Sequence, residues 1–64
     1  MAQDYVHNGV KFFVEVTEAK RNEWTWWYRI EDGRNGKMSD RSLPTEELAL
    51  DEGKRAAEFR IDGR

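Results

Sequence analysis

The chain contains no cysteine, one histidine and one proline in 64 residues. Without cysteine it can form neither a disulfide nor a thiolate metal site, and this fits a reducing cytoplasm better than secretion. No apolar run approaches the roughly 20 residues that span a bilayer, and the N-terminus has neither the basic region nor the apolar core of a signal peptide. We therefore expect one cytoplasmic domain over residues 1–64, with no membrane contact.

An excess of one charge sign is also lacking. Eleven Lys and Arg residues stand against thirteen Asp and Glu residues, for a net charge of −2. Nucleic-acid-binding domains usually show a clear basic excess, so the overall charge does not indicate that function. A domain this small is only marginally stable unless it is unusually well packed. Its stability must therefore come from its eight aromatic residues, or from association.

Signals for catalysis are scarce. His7 stands beside a turn dipeptide and is interpreted as a solvated loop residue rather than a base. The carboxylates are scattered over polar positions, and none lies in an apolar run that would raise its pKa. The glycines in residues 32–36 lack the lysine and the helix that follow in a phosphate-binding loop. The sequence therefore predicts no enzyme, no catalytic residue, no metal site and no cofactor.

Residues 10–17 and 23–30 both alternate with the period of a strand, in which successive side chains point to opposite faces. The second segment holds all three tryptophans of the chain within four positions. The alternation separates them, because Trp24 and Trp26 share a face whereas Trp27 lies on the other. We predict that Trp24 and Trp26 belong to the core and that Trp27 is left outside it.

Turn residues bound these strands. Asn8-Gly9 is a strong hairpin signal, because both residues tolerate positive φ. Whether the segment Tyr5-Val6-His7 before it pairs as a short edge strand stays open. Residues 18–22 are interpreted as a polar connection between the two strands.

The turn after the second strand offers two dipeptides, Asp32-Gly33 and Asn35-Gly36. A two-residue loop at the first would turn Lys37 and Arg41 into the core, and burying unpaired cations is costly. We therefore prefer an odd-numbered loop, such as residues 32–36, which places Met38 opposite Ile30 and sends the cations outward.

A helix is predicted after the only proline. Thr45 is a good N-cap, and Gly63 is placed to end a helix that runs to about Ile61. Its inner face is centred on small residues, namely Ala49, Gly53, Ala56 and Ala57. Larger residues flank them, with Leu48 and Phe59 on one side and Leu50 and Ile61 on the other.

Two side-chain contacts are predicted for the inner face of this helix. Gly53 is expected to approach Trp24 or Trp26 so closely that Gly53→Ala destabilises the protein. Arg60 is expected to stack on a core tryptophan as a cation–π partner.

The predicted fold class is α+β: an antiparallel sheet of three strands, or four if residues 5–7 pair, with one C-terminal helix packed on one face. A lone helix leaves the other face of the sheet uncovered. By strand parity this uncovered face carries two aromatics, four cations and one carboxylate. Its candidate binding residues are Lys11, Phe13, Trp27, Arg29, Lys37 and Arg41.

Three interpretations of this face compete. Phe13 and Trp27 form a cross-strand pair that only supports the sheet. Alternatively, Trp27 anchors a protein contact, with a partner or with a second copy, because Trp and Arg dominate interface hot spots. In the third, the cations bind phosphates while the aromatics stack on bases. The sequence is interpreted as a non-catalytic binding module for a protein partner or itself, with nucleic acid as the alternative.

The order of elements resembles small bacterial proteins of no established biochemical role, in which a Trp-x-aromatic strand and an Ala-rich closing helix recur. The residues that carry the resemblance are Tyr5, Gly9, Trp24, Trp26, Gly36, Thr45, Glu46, Glu47, Ala49, Gly53 and Ile61-Asp62-Gly63. The resemblance spans most of the chain and implies a fold rather than an activity.

The same plan of three strands and a helix is similar to the DNA-binding domain of plant ethylene-response factors and to the arm-binding domain of tyrosine recombinases. Both place the uncovered sheet face in the DNA major groove, so the resemblance implies nucleic acid as a partner. Those faces are richer in Arg and Lys, whereas this chain has Phe13, Glu15 and Trp27 there. Fold alone does not carry function.

Overall fold

A computed structural model describes residues 2–38 and 42–63. The elements, in chain order, are β1 (Ala2–His7), β2 (Val10–Lys20), β3 (Glu23–Ile30), β4 (Asn35–Lys37) and α1 (Glu46–Ile61). The strands form one antiparallel sheet in the order β1-β2-β3-β4. The α+β class with a C-terminal helix is confirmed, and the sheet has four strands.

The first two strands are longer than the sequence predicted. β1 begins at Ala2 and pairs with β2 along its whole length. β2 continues to Lys20, with a register shift between Glu18 and Lys20 where a β-bulge accommodates Ala19. The expected polar connection over residues 18–22 is therefore wrong, because strand pairing continues through it to a two-residue turn.

Both hairpin turns flanking β2 place asparagine in the left-handed region. Asn8 has φ of 51° and Gly9 of 78°, and these suit the predicted two-residue turn. Asn22, in the second turn, has φ of 63°. Asparagine tolerates this conformation better than most residues with a Cβ, which explains how Arg21-Asn22 forms a turn without glycine.

The register across the β3–β4 turn has the predicted parity, but Ile30 lies opposite Arg34, so three residues (31–33) and not five lie between the opposed positions. Trp27 pairs with Lys37 and Tyr28 with Gly36, and Ile30 N–H donates to the Arg34 carbonyl at 2.7 Å. Met38 consequently lies opposite Trp26, to whose carbonyl its N–H donates at 3.1 Å, and not opposite Ile30.

Gly36 is therefore a strand residue and not part of the turn. A Cβ built on it would lie 2.6 Å from the Tyr28 hydroxyl and 2.7 Å from Cζ of the same ring. Tyr28 covers the backbone of β4, and only glycine leaves room for its ring.

The core lies between α1 and the face of the sheet that carries the alternate aromatic and β-branched residues. Its buried members are Phe12, Val14, Val16, Trp26, Tyr28, Ile30, Ala49 and Ala57. Trp24 is half-buried and packs against them. The assignment of Trp24 and Trp26 to the covered face is confirmed.

α1 contacts the sheet through a narrow stripe of small residues. Ala49, Gly53 and Ala57 are buried, and a Cβ at Gly53 would lie 2.7 Å from Val14 Cγ1 and 3.1 Å from Trp26 Cγ. The predicted close approach of Gly53 to Trp26 is confirmed, and Val14 is the nearest neighbour of Gly53. Trp26 also donates from Nε1 to Glu52 Oε1 at 3.0 Å.

The helix ends agree with the sequence, but its flanks do not. Thr45 Oγ1 accepts the N–H of Leu48 at 3.1 Å and caps the helix as predicted. Leu48 is 50 % exposed and Phe59 is 76 % exposed, so the apolar arc is narrower than its composition suggested. Arg60 is exposed, so the expected stacking on a core tryptophan is wrong.

The cation–π contact lies instead at the junction of β1 and α1. Lys54 Nζ lies 5.2 Å from the centroid of the Tyr5 ring, which stacks on Phe12 at 5.4 Å. Partial burial of Tyr5, with the nearby carboxylates of Asp51 and Glu58, raises the pKa of its hydroxyl. β1 is thus attached to the core by its own aromatic residue.

The β3–β4 turn carries an acid-sensitive interaction. Asp32 accepts the backbone N–H of Arg34 at 3.0 Å and its Nε at 2.9 Å. These bonds, the backbone one foremost, lower the pKa of the Asp32 carboxyl. Arg34 also donates from its guanidinium to the Arg60 carbonyl at 3.0 Å, which ties the turn to the end of α1.

Asp32→Asn is expected to lose less stability than wild type when the pH is lowered. Because the folded state lowers this pKa, the stabilisation is complete above the unfolded pKa, near 4, and is lost as pH falls through the folded value. Urea midpoints measured at neutral pH and at about pH 3 should therefore fall further for wild type than for the variant. Asp51→Asn on α1 serves as the control, and equal acid losses in wild type and Asp32→Asn would contradict the assignment.

Candidate functional site

The face of the sheet opposite α1 is called the open face. It carries every second residue of each strand, set by the observed register. Its members are Ala2, Asp4 and Val6 from β1, Lys11, Phe13, Glu15 and Thr17 from β2, Thr25, Trp27 and Arg29 from β3, Asn35 and Lys37 from β4, and Glu31 just after β3. None of the described helix residues lies over it, because α1 packs on the core side.

The structure brings five of the six predicted site residues together on this face. Lys11 and Phe13 come from β2, Trp27 and Arg29 from β3, and Lys37 from β4. Phe13 lies directly across from Arg29, and Trp27 directly across from Lys37. The sixth, Arg41, lies outside the described residues.

Phe13 and Trp27 form the aromatic centre of the open face. Their ring centroids are 5.2 Å apart and their planes meet at 77°, an edge-to-face contact between diagonal neighbours. Trp27 nevertheless remains 39 % exposed. The sheet-supporting pair anticipated from the sequence therefore exists, and it still leaves a large part of an indole ring uncovered.

The expected excess of cations on this face is wrong within the described residues. Lys11, Arg29 and Lys37 are balanced by three carboxylates, those of Asp4, Glu15 and Glu31. Asp4 was missed because β1 begins before residue 5. Glu31 was assigned to a strand end, but its N–H donates to the Lys11 carbonyl at 2.9 Å, which keeps it beside the face.

The register arranges the open face in rows across the strands. One row reads Ala2, Glu15, Trp27, Lys37; the next reads Asp4, Phe13, Arg29, Asn35; the third reads Val6, Lys11, Glu31. Side chains within one row are cross-strand neighbours, and each row is two residues further along the strands.

Across these rows the apolar residues follow a diagonal. Val6, Phe13 and Trp27 each lie one strand and one row from the next, and we call this line the apolar stripe. Parallel to it on one side lie Lys11, Arg29 and Lys37. Parallel to it on the other side lie Asp4 and Glu15. Asp4 and Glu15 are therefore separated from the three cations by a line of exposed apolar side chains, whereas Glu31 lies on the cation side, across from Lys11.

One half of the open face is concave. An open depression of about 750 Å³ lies there, and the open-face residues that line it are Asp4, Val6, Lys11, Phe13, Arg29 and Glu31. Val6 at its margin is 65 % exposed. The depression has a partly apolar lining with both charge signs around it, and it is an open hollow rather than an enclosed cavity.

His7 lies away from this face and has a structural partner. It ends β1, half-buried, and its Nε2 is 2.9 Å from Asp62 Oδ1, while Asn8 donates to the same oxygen at 2.8 Å. The interpretation of His7 as a solvated loop residue is therefore wrong. These contacts attach the β1–β2 hairpin to the end of α1.

Comparison of the chain with protein families, curated proteins and solved structures found no match. Among the described residues, no helix has both the length and the apolar character needed to cross a membrane.

Proposed function

We propose that this protein is a small, non-catalytic binding module that uses the open face for contact with a protein, either a separate partner or a second copy. The observation that carries the proposal is Trp27. Its ring is 39 % exposed and held by Phe13 in the middle of a sheet, with Arg29 and Lys37 in the adjacent positions. The cytoplasm is proposed as its location.

The chemistry of this face suits a protein interface. Tryptophan and arginine dominate interface hot spots, because they bury a large area and also make directional contacts. Trp27 loses little conformational freedom on binding, since the edge-to-face contact with Phe13 already orients its ring. Charges of both signs beside the ring would fix the orientation of a partner.

Nucleic acid is the alternative, and one observation favours it. Lys11, Arg29 and Lys37 follow one diagonal line beside the exposed aromatics, as phosphate contacts beside stacking residues would require. Against it, Lys11 and Arg29 both have Glu31 among their neighbours on the face, and this carboxylate would repel phosphates. The balance of charge therefore favours protein.

Trp27→Ala is expected to abolish binding through the open face while the domain stays folded, because the ring is outside the core. Binding is measured as self-association by analytical ultracentrifugation and as crosslinking to other proteins in extracts of the source organism. Phe59→Ala is the matched control, since Phe59 is an exposed aromatic on the other side of the molecule.

The result contradicts the proposal if Trp27→Ala keeps both self-association and crosslinking, or if Phe59→Ala removes them equally. Titration with mixed duplex and single-stranded oligonucleotides tests the alternative. Phosphate contacts require affinity that falls steeply with salt. Salt-dependent binding lost in Lys11→Glu or Arg29→Glu would replace the protein partner by nucleic acid.

A further inference from the structure

We infer that the partner of the open face is a second copy of this chain, related by a two-fold axis that lies between the two sheets along the apolar stripe. The inference rests on the proposed function and names its partner. It depends on how charges are placed about Val6, Phe13 and Trp27, and not on the exposure of these residues alone.

The register fixes the distances on the face. Neighbouring strands lie about 4.8 Å apart, and successive residues on one face of a strand lie about 6.8 Å apart. On this lattice the apolar stripe runs at about 35° to the strands. The line of cations and the line of carboxylates each lie about 4 Å from the stripe, on opposite sides.

A two-fold axis along the stripe exchanges its two sides. Each point on one side of the stripe then lies opposite the other side of the stripe in the second copy, so Lys11 and Arg29 face the line of carboxylates. The second copy's Asp4 then lies opposite a point that is about 3 Å from Lys11 along the stripe. The second copy's Glu15 lies opposite a point about 3 Å from Arg29. Symmetry doubles these two contacts to four, around an apolar centre.

A two-fold axis perpendicular to the stripe is disfavoured by charge. Such an axis, in the same plane, does not exchange the two sides of the stripe. Lysine and arginine side chains would then face their own kind, and Asp4 would face Glu15. Like charges opposite one another at an interface are strongly disfavoured.

The arrangement also fixes how the two sheets cross. The strands of the two sheets cross at about 70°, close to the orthogonal class of sheet packing.

The size of the face predicts a weak dimer. The four strands make the face about 19 Å wide, and residues 11–17 span about 20 Å along the strands. The footprint is therefore about 400 Å² for each copy. Two such footprints total about 800 Å², below the roughly 1,200–2,000 Å² of stable interfaces. The dimer is therefore expected to dissociate in the micromolar-to-millimolar range and to weaken with salt.

Two charge reversals test the arrangement. Lys11→Glu places glutamate opposite the second copy's Asp4, and Asp4→Lys places lysine opposite Lys11, so each variant alone is expected to dimerise at least tenfold more weakly. An equimolar mixture of the two variants should form a heterodimer, because both contacts across the axis then join opposite charges. Sedimentation equilibrium from micromolar to millimolar protein measures all three samples, and thermal melts check that each variant is folded.

The same reversals on the helix provide matched controls. Arg55 and Asp51 form an exposed ion pair at 3.2 Å on α1, so Arg55→Glu and Asp51→Lys should leave the dimer within about threefold of wild type. Wild type that stays monomeric at millimolar concentration, or a mixture that gains no heterodimer, overturns the inference. If monomeric wild type still captures another protein through Trp27, the proposed function stands and the second copy is the wrong partner.

Discussion

Gly53→Ala is expected to lower the free energy of unfolding by about 2 kcal/mol, although alanine is the better helix former by about 1 kcal/mol. The added Cβ would lie 2.7 Å from Cγ1 of Val14 and 3.1 Å from Cγ of Trp26. Val14 is fully buried at the centre of the sheet, so neither it nor the helix can move without opening the core. Thermal and urea unfolding measure the change.

The loss is large for this chain. A domain of this length has a total stability of about 3–10 kcal/mol, and 1 kcal/mol shifts the melting temperature by about 4–8 °C. Arg55→Ala on the exposed side of α1 is the control and should change stability by less than about 0.5 kcal/mol. A melting temperature that is unchanged or raised in Gly53→Ala would show that α1 does not approach the sheet this closely.

Gly36→Ala is expected to cost about 1–3 kcal/mol for a different reason. Its Cβ would lie 2.6–2.8 Å from the hydroxyl, Cζ and Cε2 of Tyr28. The Tyr28 ring is 5 % exposed and stacks beside Trp26 with centroids 6.0 Å apart, so it has no space in which to turn aside. Either the ring leaves the core or β4 separates from β3. Urea unfolding measures the cost.

A double-mutant cycle separates the contact from strand propensity, because alanine at this position also changes the backbone entropy of the unfolded chain. In the Tyr28→Leu background the ring is absent, and Gly36→Ala should then be close to neutral. An equal cost in both backgrounds would mean that the ring does not cover Gly36.

The three tryptophans show how much strand parity can predict. Side chains alternate along any strand, so the sequence placed Trp24 and Trp26 on one face and Trp27 on the other without any tertiary information. The structure confirms the separation, with Trp26 buried and Trp27 39 % exposed. The same rule placed Lys11, Phe13 and Arg29 on the face of Trp27.

Parity could not predict where strands begin or how they align. β1 starts at Ala2, in a polar segment that alternates too weakly to read, and so Asp4 was not assigned to the open face. The parity of the loop before β4 was predicted, but the register that places Gly36 opposite Tyr28 was not. Both facts come from contacts between residues distant in sequence.

The sequence by itself determined the two faces of the sheet, the capped helix and the small-residue stripe that lies on Trp26. These follow from local periodicities of two and of about 3.6 residues, which can be recognised within a single strand or helix. Only the tertiary structure decided the order and register of four strands. The diagonal of Val6, Phe13 and Trp27 exists because of that register. If one strand shifted by one residue, its member of the diagonal would turn into the core.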